Sequence, residues 1–541
     1  MRRRRLLTGL AGLALAGCAR KEPARRIEGG IVGGAHARGH RLREGFRPPP
    51  DTTEDAGVAI LGAGIAGLSA AWAFERAGFR DYVVLELEDV PGGTARSGRN
   101  AVSPYPWGAH YVPAPSPANR PLLALLDEVG ALAGRDGSGR PVWAEHVLCR
   151  EPDERVYFRG HWYEGLVPRA GASAADLKQL EAFDKDMRRW AAFRDARGRR
   201  GFAVPRASGS DSPEVRALDR LSMADYLDER GWDSPRLRWL VEYGCRDDFG
   251  TTLSRTSAWA GVHYHAARAD EASGESAELL TWPEGNGRLV AHLAGVAGDR
   301  LRTGALVTDV VPARDRVEVS WYDEAGRRAR RLRAGHAVFA LPRFLAGVLV
   351  APWRETRPAF LGETVYGSWM VANLTLRDRP AGRGFPLAWD NVLYDSPSLG
   401  YVVATHQSGS DHGPTVLTYY LPMPDDDPRE SRERLLATPW EAWVEAVLAD
   451  LAPAHPGLRD LVERVDAYLW GHAMVQPRPG FLWSPALRAS SAPLGRVHFA
   501  HTDLSGMALF EEAQYWGIRA AEAVLRAQGA AFRSWLDRPG A

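Results

Sequence analysis

The chain runs to 541 residues, too many for one compact core, so two domains or one large domain with insertions are expected. Hydrophobic residues make up 45% and charged residues 25%, the balance of an ordinary soluble globular protein, and a net charge of +1 leaves no field to draw in nucleic acid. Cys18, Cys149 and Cys245 form no CxxC pair and no metal-ligand spacing, which speaks against a zinc site, and no metal is expected. Cys149 and Cys245 read as two buried thiols, with a disulfide between them as the alternative in an oxidising compartment. Almost every basic residue is arginine; the lysines are Lys21, Lys178 and Lys185.

The N-terminus reads as an address. Arg2 to Arg5 precede Leu6-Leu7, and an uncharged apolar run from Gly9 to Gly17 is too short to span a bilayer. The arginines before Leu-Leu resemble a twin-arginine export signal. Leu15-Ala16-Gly17-Cys18 resembles a bacterial lipobox, whose cysteine receives lipid. These resemblances imply an export signal over 1–18, a periplasmic location and membrane contact through lipid at Cys18, with cleavage without lipidation as the alternative. Residues 19–55 are rich in Arg, Gly and Pro, show no hydrophobic period, and read as a flexible tether.

From Gly57 the pattern changes. Val58 to Leu61 is a continuous apolar run, as in a buried parallel strand. Gly62-Ala63-Gly64-Ile65-Ala66-Gly67 follows and opens an alanine-rich helix that stops near Gly78. Gly62 permits the turn, Gly64 leaves room for a pyrophosphate, and Gly67 lets helix and strand pack closely. Free N–H groups at the helix start, including those of Ile65 and Ala66, attract the phosphates. A second strand over Tyr82–Leu87 carries Glu86, 19 residues after Gly67, which accepts hydrogen bonds from ribose and repels a 2′-phosphate. FAD or NAD fits this pattern; NADP does not.

Pro91-Gly92-Gly93-Thr94-Ala95-Arg96 then resembles the second glycine signature of FAD-dependent amine oxidases. Trp107-Gly108-Ala109-His110-Tyr111 resembles that superfamily's flavin-facing turn. Val307 falls where its valine meets adenine, and Asp503, in Phe499-Ala500-His501-Thr502-Asp503, matches its acidic residue near the ribityl chain. Glu511-Glu512-Ala513 leads into the last helix as its Glu-Gly-Ala does. The resemblance covers roughly residues 56–530. It implies an α/β fold, a Rossmann-like FAD-binding domain with an inserted α+β substrate domain, and FAD held without a covalent bond by Gly92, Gly93, Arg96, Gly108, Ala109, His110, Val307, Asp503 and Ala513 beside the fingerprint residues. Residues 56–120, 271–345 and 466–530 are expected in the FAD-binding domain, and 121–270 and 346–465 in the substrate domain. Glu512 and Trp516 depart from the small residues of the family pattern. No lysine follows Lys185, so the lysine that often holds water near flavin N5 is missing, and the electron acceptor, oxygen or a quinone, stays open.

Substrate-site candidates come from aromatic and histidine clusters: Trp259, His263 and Tyr264; Trp369; Tyr419 and Tyr420; Trp470 and His472; Tyr515 and Trp516. Of these, His472, Trp516 and Tyr420 are taken as catalytic, with an ordinary core role as the competing reading for each. Asp247 and Asp248 read first as solvated surface acids, with steering of a cation as the alternative. The expected reaction is oxidation of a small organic substrate, an amine first, by hydride transfer to flavin N5. The alternatives are a desaturase or isomerase acting on a C–C bond, and a flavin-binding relay or assembly protein with no substrate of its own.

Overall fold

The computed structural model describes residues 26–537 apart from 168, 270–276, 425 and 426; the export signal and Cys18 lie outside the described residues. The strand Thr52–Leu61 runs parallel to Tyr82–Leu85 on one side and to Arg328–Phe339 on the other. Flanked on both edges and covered on both faces, its residues Val58 to Leu61 have no exposed surface, which is why they read as an unbroken apolar run. Leu301–Arg302 and Val497–Phe499 add two more parallel strands, and Val317–Asp323 and Ala305–Pro312 continue the sheet antiparallel from Arg328–Phe339.

The helix Ile65–Arg76 leaves the end of the first strand and buries every residue from Ile65 to Phe74. It can do so because it is packed between the sheet and two further helices, Phe510–Ala527 and Gly287–Ala297. The contact with Phe510–Ala527 is backbone-close: a Cβ on Gly517 would stand 2.1 Å from the Ala66 carbonyl oxygen. The C-terminal helix is thereby locked onto the first turn of the glycine-rich helix.

A second sheet of eight strands takes the order Glu28–Ile31, Val462–Val475, Tyr366–Leu376, Thr415–Met423, Tyr401–Val403, Asp390–Leu393, Glu154–Phe158, His161–Glu164. One face is covered by Trp443, Val444, Val447 and Leu448 of the helix Trp440–Leu451. The other carries Trp369, Val371, Tyr420 and Tyr468, which pack with Tyr105 and Trp107 of the FAD-binding part. A helical lobe over residues 174–266 has its own core around Phe202, Tyr226, Phe249 and Trp259. The fold is thus a Rossmann-like α/β FAD-binding domain with a substrate domain, as expected.

The structure corrects three boundaries. The tether expected over 19–55 is folded from Glu28 onward: Glu28–Ile31 pairs in parallel with Arg464–Ala467, and the helix His36–His40 follows. This strap is held by backbone rather than by an apolar face, so hydropathy does not reveal it. A Cβ on Gly29 would lie 1.9 Å from the Val465 carbonyl oxygen, so only glycine permits the approach. Second, residues 466–475, assigned to the FAD-binding part, lie in the strand Val462–Val475 of the larger sheet, between its edge strand Glu28–Ile31 and Tyr366–Leu376. Third, Leu122, Leu125, Leu126 and Val147 pack with the glycine-rich helix, and Ala346, Leu349 and Leu361 pack under the FAD-domain sheet, so 121–147 and 346–361 contribute to the FAD-binding core. An apolar face specifies burial but not the element that buries it. Cys149 is half-buried, Cys245 is buried, and both are free thiols.

Candidate active site

The cradle starts at Gly64, the cap of the helix Ile65–Arg76, which is extended and offers no side chain to the first-turn N–H groups. A Cβ on Gly64 would meet nothing within 4 Å, whereas one on Gly67 would stand 1.9 Å from the Gly62 carbonyl oxygen. Gly64 therefore faces open space and Gly67 faces backbone, the two roles its spacing implies. Gly92 bridges to Gly64, and its N–H donates to the Ala63 carbonyl at 2.8 Å, bringing the second glycine segment beside the first. Glu86 follows the strand Tyr82–Leu85. Its two oxygens accept from the N–H of Ala63 at 2.7 Å and of Glu88 at 2.9 Å, leaving lone pairs for sugar hydroxyls. Burial pushes its pKa up, and those two N–H groups pull the other way.

Arg96 points across the cradle. Its Nη1 donates to the Tyr468 hydroxyl at 2.8 Å and its Nη2 to the Val90 carbonyl at 3.1 Å, while its buried Nε has no partner among the described residues. A free buried donor beside open glycine backbone and a bare helix N-terminus suits a pyrophosphate. The residues present therefore fit FAD. Val307 sits at a register slip, where the ladder to Val317–Asp323 jumps from Val307 to Asp309. Asp503 is held by protein through one oxygen: its Oδ2 accepts from the Arg343 N–H at 2.7 Å and from the Tyr366 hydroxyl at 2.6 Å, while its buried Oδ1 lies 3.0 Å from His501 Nδ1 and has no other partner among the described residues. Burial pushes it up, but the charge and hydrogen bond of His501 and these donors outweigh burial, and its pKa is lowered. Ala513 lies buried in the first turn of Phe510–Ala527.

The flavin-facing turn is fixed from two sides. Ala109 donates to the Thr94 carbonyl at 3.0 Å and accepts from the Asn286 N–H at 3.1 Å. A Cβ on Gly108 would stand 2.2 Å from the Thr94 oxygen, so that position requires glycine. The Tyr420 hydroxyl donates to the Gly108 carbonyl at 2.9 Å, and the Tyr420 ring stacks on His110 at 4.9 Å between centroids. Trp389 lies 5.3 Å from His110 and edge-on to Tyr111 at 5.9 Å; Trp369 stands edge-on to Tyr420 at 6.4 Å. Together they form an aromatic cage beside the turn. Burial lowers the His110 pKa to about 4, so its imidazole is neutral.

Carboxyl groups lie beside this cage, close enough for Asp247 and Asp390 to act on Tyr111 and Tyr420. The Tyr243 hydroxyl reaches Asp390 Oδ2 at 3.3 Å, and the Tyr264 hydroxyl reaches Asp247 Oδ2 at 3.4 Å. Burial, then the charges of Asp247 and Glu154, raise Asp390 well above the carboxylate range. Burial, then the charge of Asp248, raise Asp247. Glu154 is pushed up to about 7, by burial first and then by Asp153. Asp248 is buried and accepts from Arg268 Nη2 at 2.6 and 2.8 Å. The reading of Asp247 and Asp248 as solvated surface acids is overturned: both sit at the inner end of the helix Pro235–Phe249, where the chain enters the core at Gly250.

The three residues taken as catalytic do not meet. Tyr420 is in the cage. His472 stacks on Phe344 at 4.3 Å and stands edge-on to Tyr366, and burial with Arg432, Arg43 and His40 lowers it to about 3. Trp516 donates from Nε1 to Ser505 Oγ at 2.6 Å and packs between helix and sheet. Trp259 and His263 belong to the core of the helical lobe, beside Phe202. Trp389, Asp390 and Arg268 escape the sequence reading. Half-buried ionisable groups such as Asp390 and Arg268 have no local sequence pattern.

A glycine cradle for a pyrophosphate, an acidic residue beyond the second strand and an aromatic cage at the flavin turn define an FAD-dependent oxidoreductase. The chain belongs to the flavin containing amine oxidoreductase family, whose sequence profile matches residues 65–525. It is 24% identical over 494 residues, 86% of this chain and 94% of the other, to an L-amino acid dehydrogenase of Synechocystis sp.. Among solved structures it resembles a putrescine oxidase bound to putrescine, at 19% identity and a TM-score of 0.65, covering 88% of this chain and all of that one. It also resembles a cyclohexylamine oxidase from Brevibacterium oxydans IH-35A (18%, TM-score 0.61, 88% of this chain and all of that one) and a fatty acid isomerase from P. acnes (17%, TM-score 0.60, 87% of this chain and 98% of that one). At these identities the structural likeness carries the fold.

Proposed function

We propose that the enzyme oxidises the C–N bond of a small amine to an imine, which water then cleaves to a carbonyl compound and ammonia. The observation that carries this reading is the pair of half-buried carboxyls, Asp247 and Asp390, held by the hydroxyls of Tyr264 and Tyr243 beside the aromatic cage at the turn over 108–111. Such a cage gives a cationic amine ring faces, and its carboxyl groups, raised by burial, are poised to exchange a proton with the amine. FAD, when bound, supplies the two-electron sink for the hydride on the carbon beside nitrogen.

The chain's own residues prepare that step. Asp247 Oδ1 takes the proton that the ammonium must lose before its neighbouring carbon can give up hydride. The raised pKa of Asp247 narrows the gap between donor and acceptor. Tyr420 and His110 form one wall, and Trp389 and Tyr111 the other, which excludes water and limits the substrate to one orientation. The named activities of the dehydrogenase and the two amine oxidases above support a C–N substrate. A long apolar chain, the kind of substrate the isomerase takes, would gain nothing from half-buried carboxyl groups. The absence of lysine after Lys185 supports a quinone over oxygen as acceptor. The reading includes export with a lipid anchor at Cys18, tested by whether Cys18→Ser moves the protein from the membrane to the soluble periplasmic fraction.

The test is anaerobic mixing of the purified yellow enzyme with monoamines, diamines, amino acids and unsaturated fatty acids. Loss of flavin colour with release of ammonia is expected from amines or amino acids. Bleaching by fatty acids alone, or by nothing in the panel, overturns the reading.

A further inference from the structure

The helix Pro235–Phe249 carries two adjacent acids, Asp247 and Asp248, in its last turn, where the partial negative charge of a helix disfavours carboxylates. Consecutive residues on a helix point about 100° apart, and the two side chains meet different neighbours. Asp248 is buried and takes Arg268 Nη2 on both oxygens, at 2.6 and 2.8 Å. Asp247 is half-buried and accepts from the Tyr264 hydroxyl at 3.4 Å. Arg246, in the same turn, interacts with Glu242 and Asp450 instead.

Arg268 is therefore hydrogen-bonded to one acid of the pair and not to the other. Its guanidinium also lies 4.6 Å from the Tyr264 ring and 5.7 Å from the Tyr111 ring, contacts that fix it on Asp248. Burial works against the charge of Arg268, but Asp248 first, then Tyr111, Tyr264 and Asp247, sustain it. Burial raises the pKa of Asp248, and Arg268 draws it back. Burial, then the charge of Asp248, raise Asp247 to about 7, with Arg268 and Tyr264 opposing. Asp248 thus ionises first, and its charge becomes part of the surroundings of Asp247. The other ionisable groups that Asp247 acts on are Tyr243 of its own helix, Asp390 and Tyr420 of the larger sheet, and Tyr111 of the turn. Glu511 of the last helix faces Arg268 and Asp248. All of these are acids or phenols, and among the described groups acting on Asp247 the one cation is Arg268.

We propose that Asp248 and Arg268 are positioning residues for the reaction: paired with each other, they pin one negative charge on Asp248 and leave Asp247 as the single carboxyl that exchanges a proton with the substrate amine. Two adjacent buried carboxyls without the arginine would share a proton, and either could hold it; the arginine breaks that symmetry. A merely structural ion pair would hold the helix end and leave the titration of Asp247 where it is. The inference rests on the C–N reading above and adds two residues that act through Asp247 without touching the amine.

The test is the pH dependence of kcat/KM for anaerobic flavin reduction by benzylamine, putrescine and L-leucine, carried through with the fastest of them between about pH 5 and about pH 10. Wild-type enzyme is expected to show an acid limb near about pH 7 with a slope of one. A slope of two, from both acids exchanging protons, overturns the proposal without any variant. Glu154 is also raised to about 7, and Glu154→Gln is expected to keep the limb; a limb that vanishes in that variant overturns the proposal. Asp248→Asn removes the like charge beside Asp247 and is expected to move the limb down by about one pH unit or more. The double variant Asp248→Asn/Arg268→Gln leaves no buried ion unpaired. Its limb is expected to move the same way, because the charge of Asp248 weighs more on Asp247 than that of Arg268. Arg268→Lys keeps the cation and is expected to keep the wild-type limb. A limb that stays put in both Asp248 variants, with only the melting temperature lowered, shows a structural ion pair and overturns the proposal while C–N oxidation stands. Reduction by none of the three compounds at any pH overturns the C–N reading and this proposal with it.

Discussion

The hydroxyl of Tyr420 donates to the carbonyl of Gly108 at 2.9 Å, joining the central part of the substrate sheet to the turn over 108–111. Gly108 admits no side chain, because its Cα lies against the Thr94 carbonyl. The turn is therefore held from below by the second glycine segment and from above by a tyrosine more than three hundred residues away.

Tyr420→Phe removes that hydrogen bond and keeps the ring stacked on His110. It is expected to cost about 1 kcal/mol of stability and, by loosening the turn, to lower kcat/KM roughly tenfold. Tyr420→Ala also removes the cage wall and is expected to lower kcat/KM much further. Denaturant titration and steady-state kinetics on both variants check this. Equal kinetics for Tyr420→Phe and wild type would remove the turn-fixing role.

Two glycines three residues apart in the fingerprint, Gly64 and Gly67, separate binding from folding. A valine at Gly64 meets no protein atom within 4 Å at Cβ, so the fold is expected to survive while the side chain occupies the ligand's space. The product should be soluble, with wild-type circular dichroism and no yellow colour. A valine at Gly67 drives Cβ into the Gly62 carbonyl and is expected to give insoluble or unfolded protein. A yellow Gly64→Val protein would place the pyrophosphate elsewhere.

The legible part of this molecule is the part with local chemistry. Val58 to Gly67 and Glu86 announce themselves because a buried parallel strand must be apolar throughout and the phosphate turn must be glycine. The cage was half legible: Tyr420 and His110 were visible as aromatics, but Trp389 and Asp390 come from a short strand in a different part of the chain, and nothing in their neighbours says they face Tyr111. Asp247 and Asp248 were misread because acids are rarely buried unless paired, and the partner Arg268 lies twenty residues on, beyond another helix. The strap Glu28–Ile31 was invisible because two glycines and a sheet edge, not hydrophobic residues, hold it.

Glu154 lies beside Asp390, and burial first, then the charge of Asp153, raises its pKa to about 7. In the unfolded chain it titrates near about 4.3. Between those values the folded state binds more protons than the unfolded state, so this group's contribution to stability is greatest below about pH 4.3 and is lost as pH rises through about 7. Glu154→Gln removes that penalty. Its melting temperature is expected to exceed wild type at pH 8 and to match it at pH 4.5. A gain that is the same at both pH values would show that Glu154 titrates normally.

The strap makes the last prediction. Gly33 lies so close to the Tyr468 ring that a Cβ would stand 2.2 Å from it, and Tyr468 accepts from Arg96 Nη1 at 2.8 Å. The Ala35 N–H donates to Glu88, two residues beyond Glu86. One short segment thus touches the groups that position both the cradle arginine and the acid beside it. Gly33→Val must displace either the strap or Tyr468, and its positive φ of 66° adds strain for any side chain. Because neither strap nor ring belongs to the buried core of the parallel sheet, the fold should remain. FAD should then dissociate faster, by about tenfold or more, as measured by the rise of free-flavin fluorescence on dilution. Gly30→Val, at a neighbouring strap position where a Cβ meets nothing within 4 Å, serves as the control and should release FAD at the wild-type rate. Identical release from both variants would mean that the strap only covers the sheet edge and leaves the cradle unaffected.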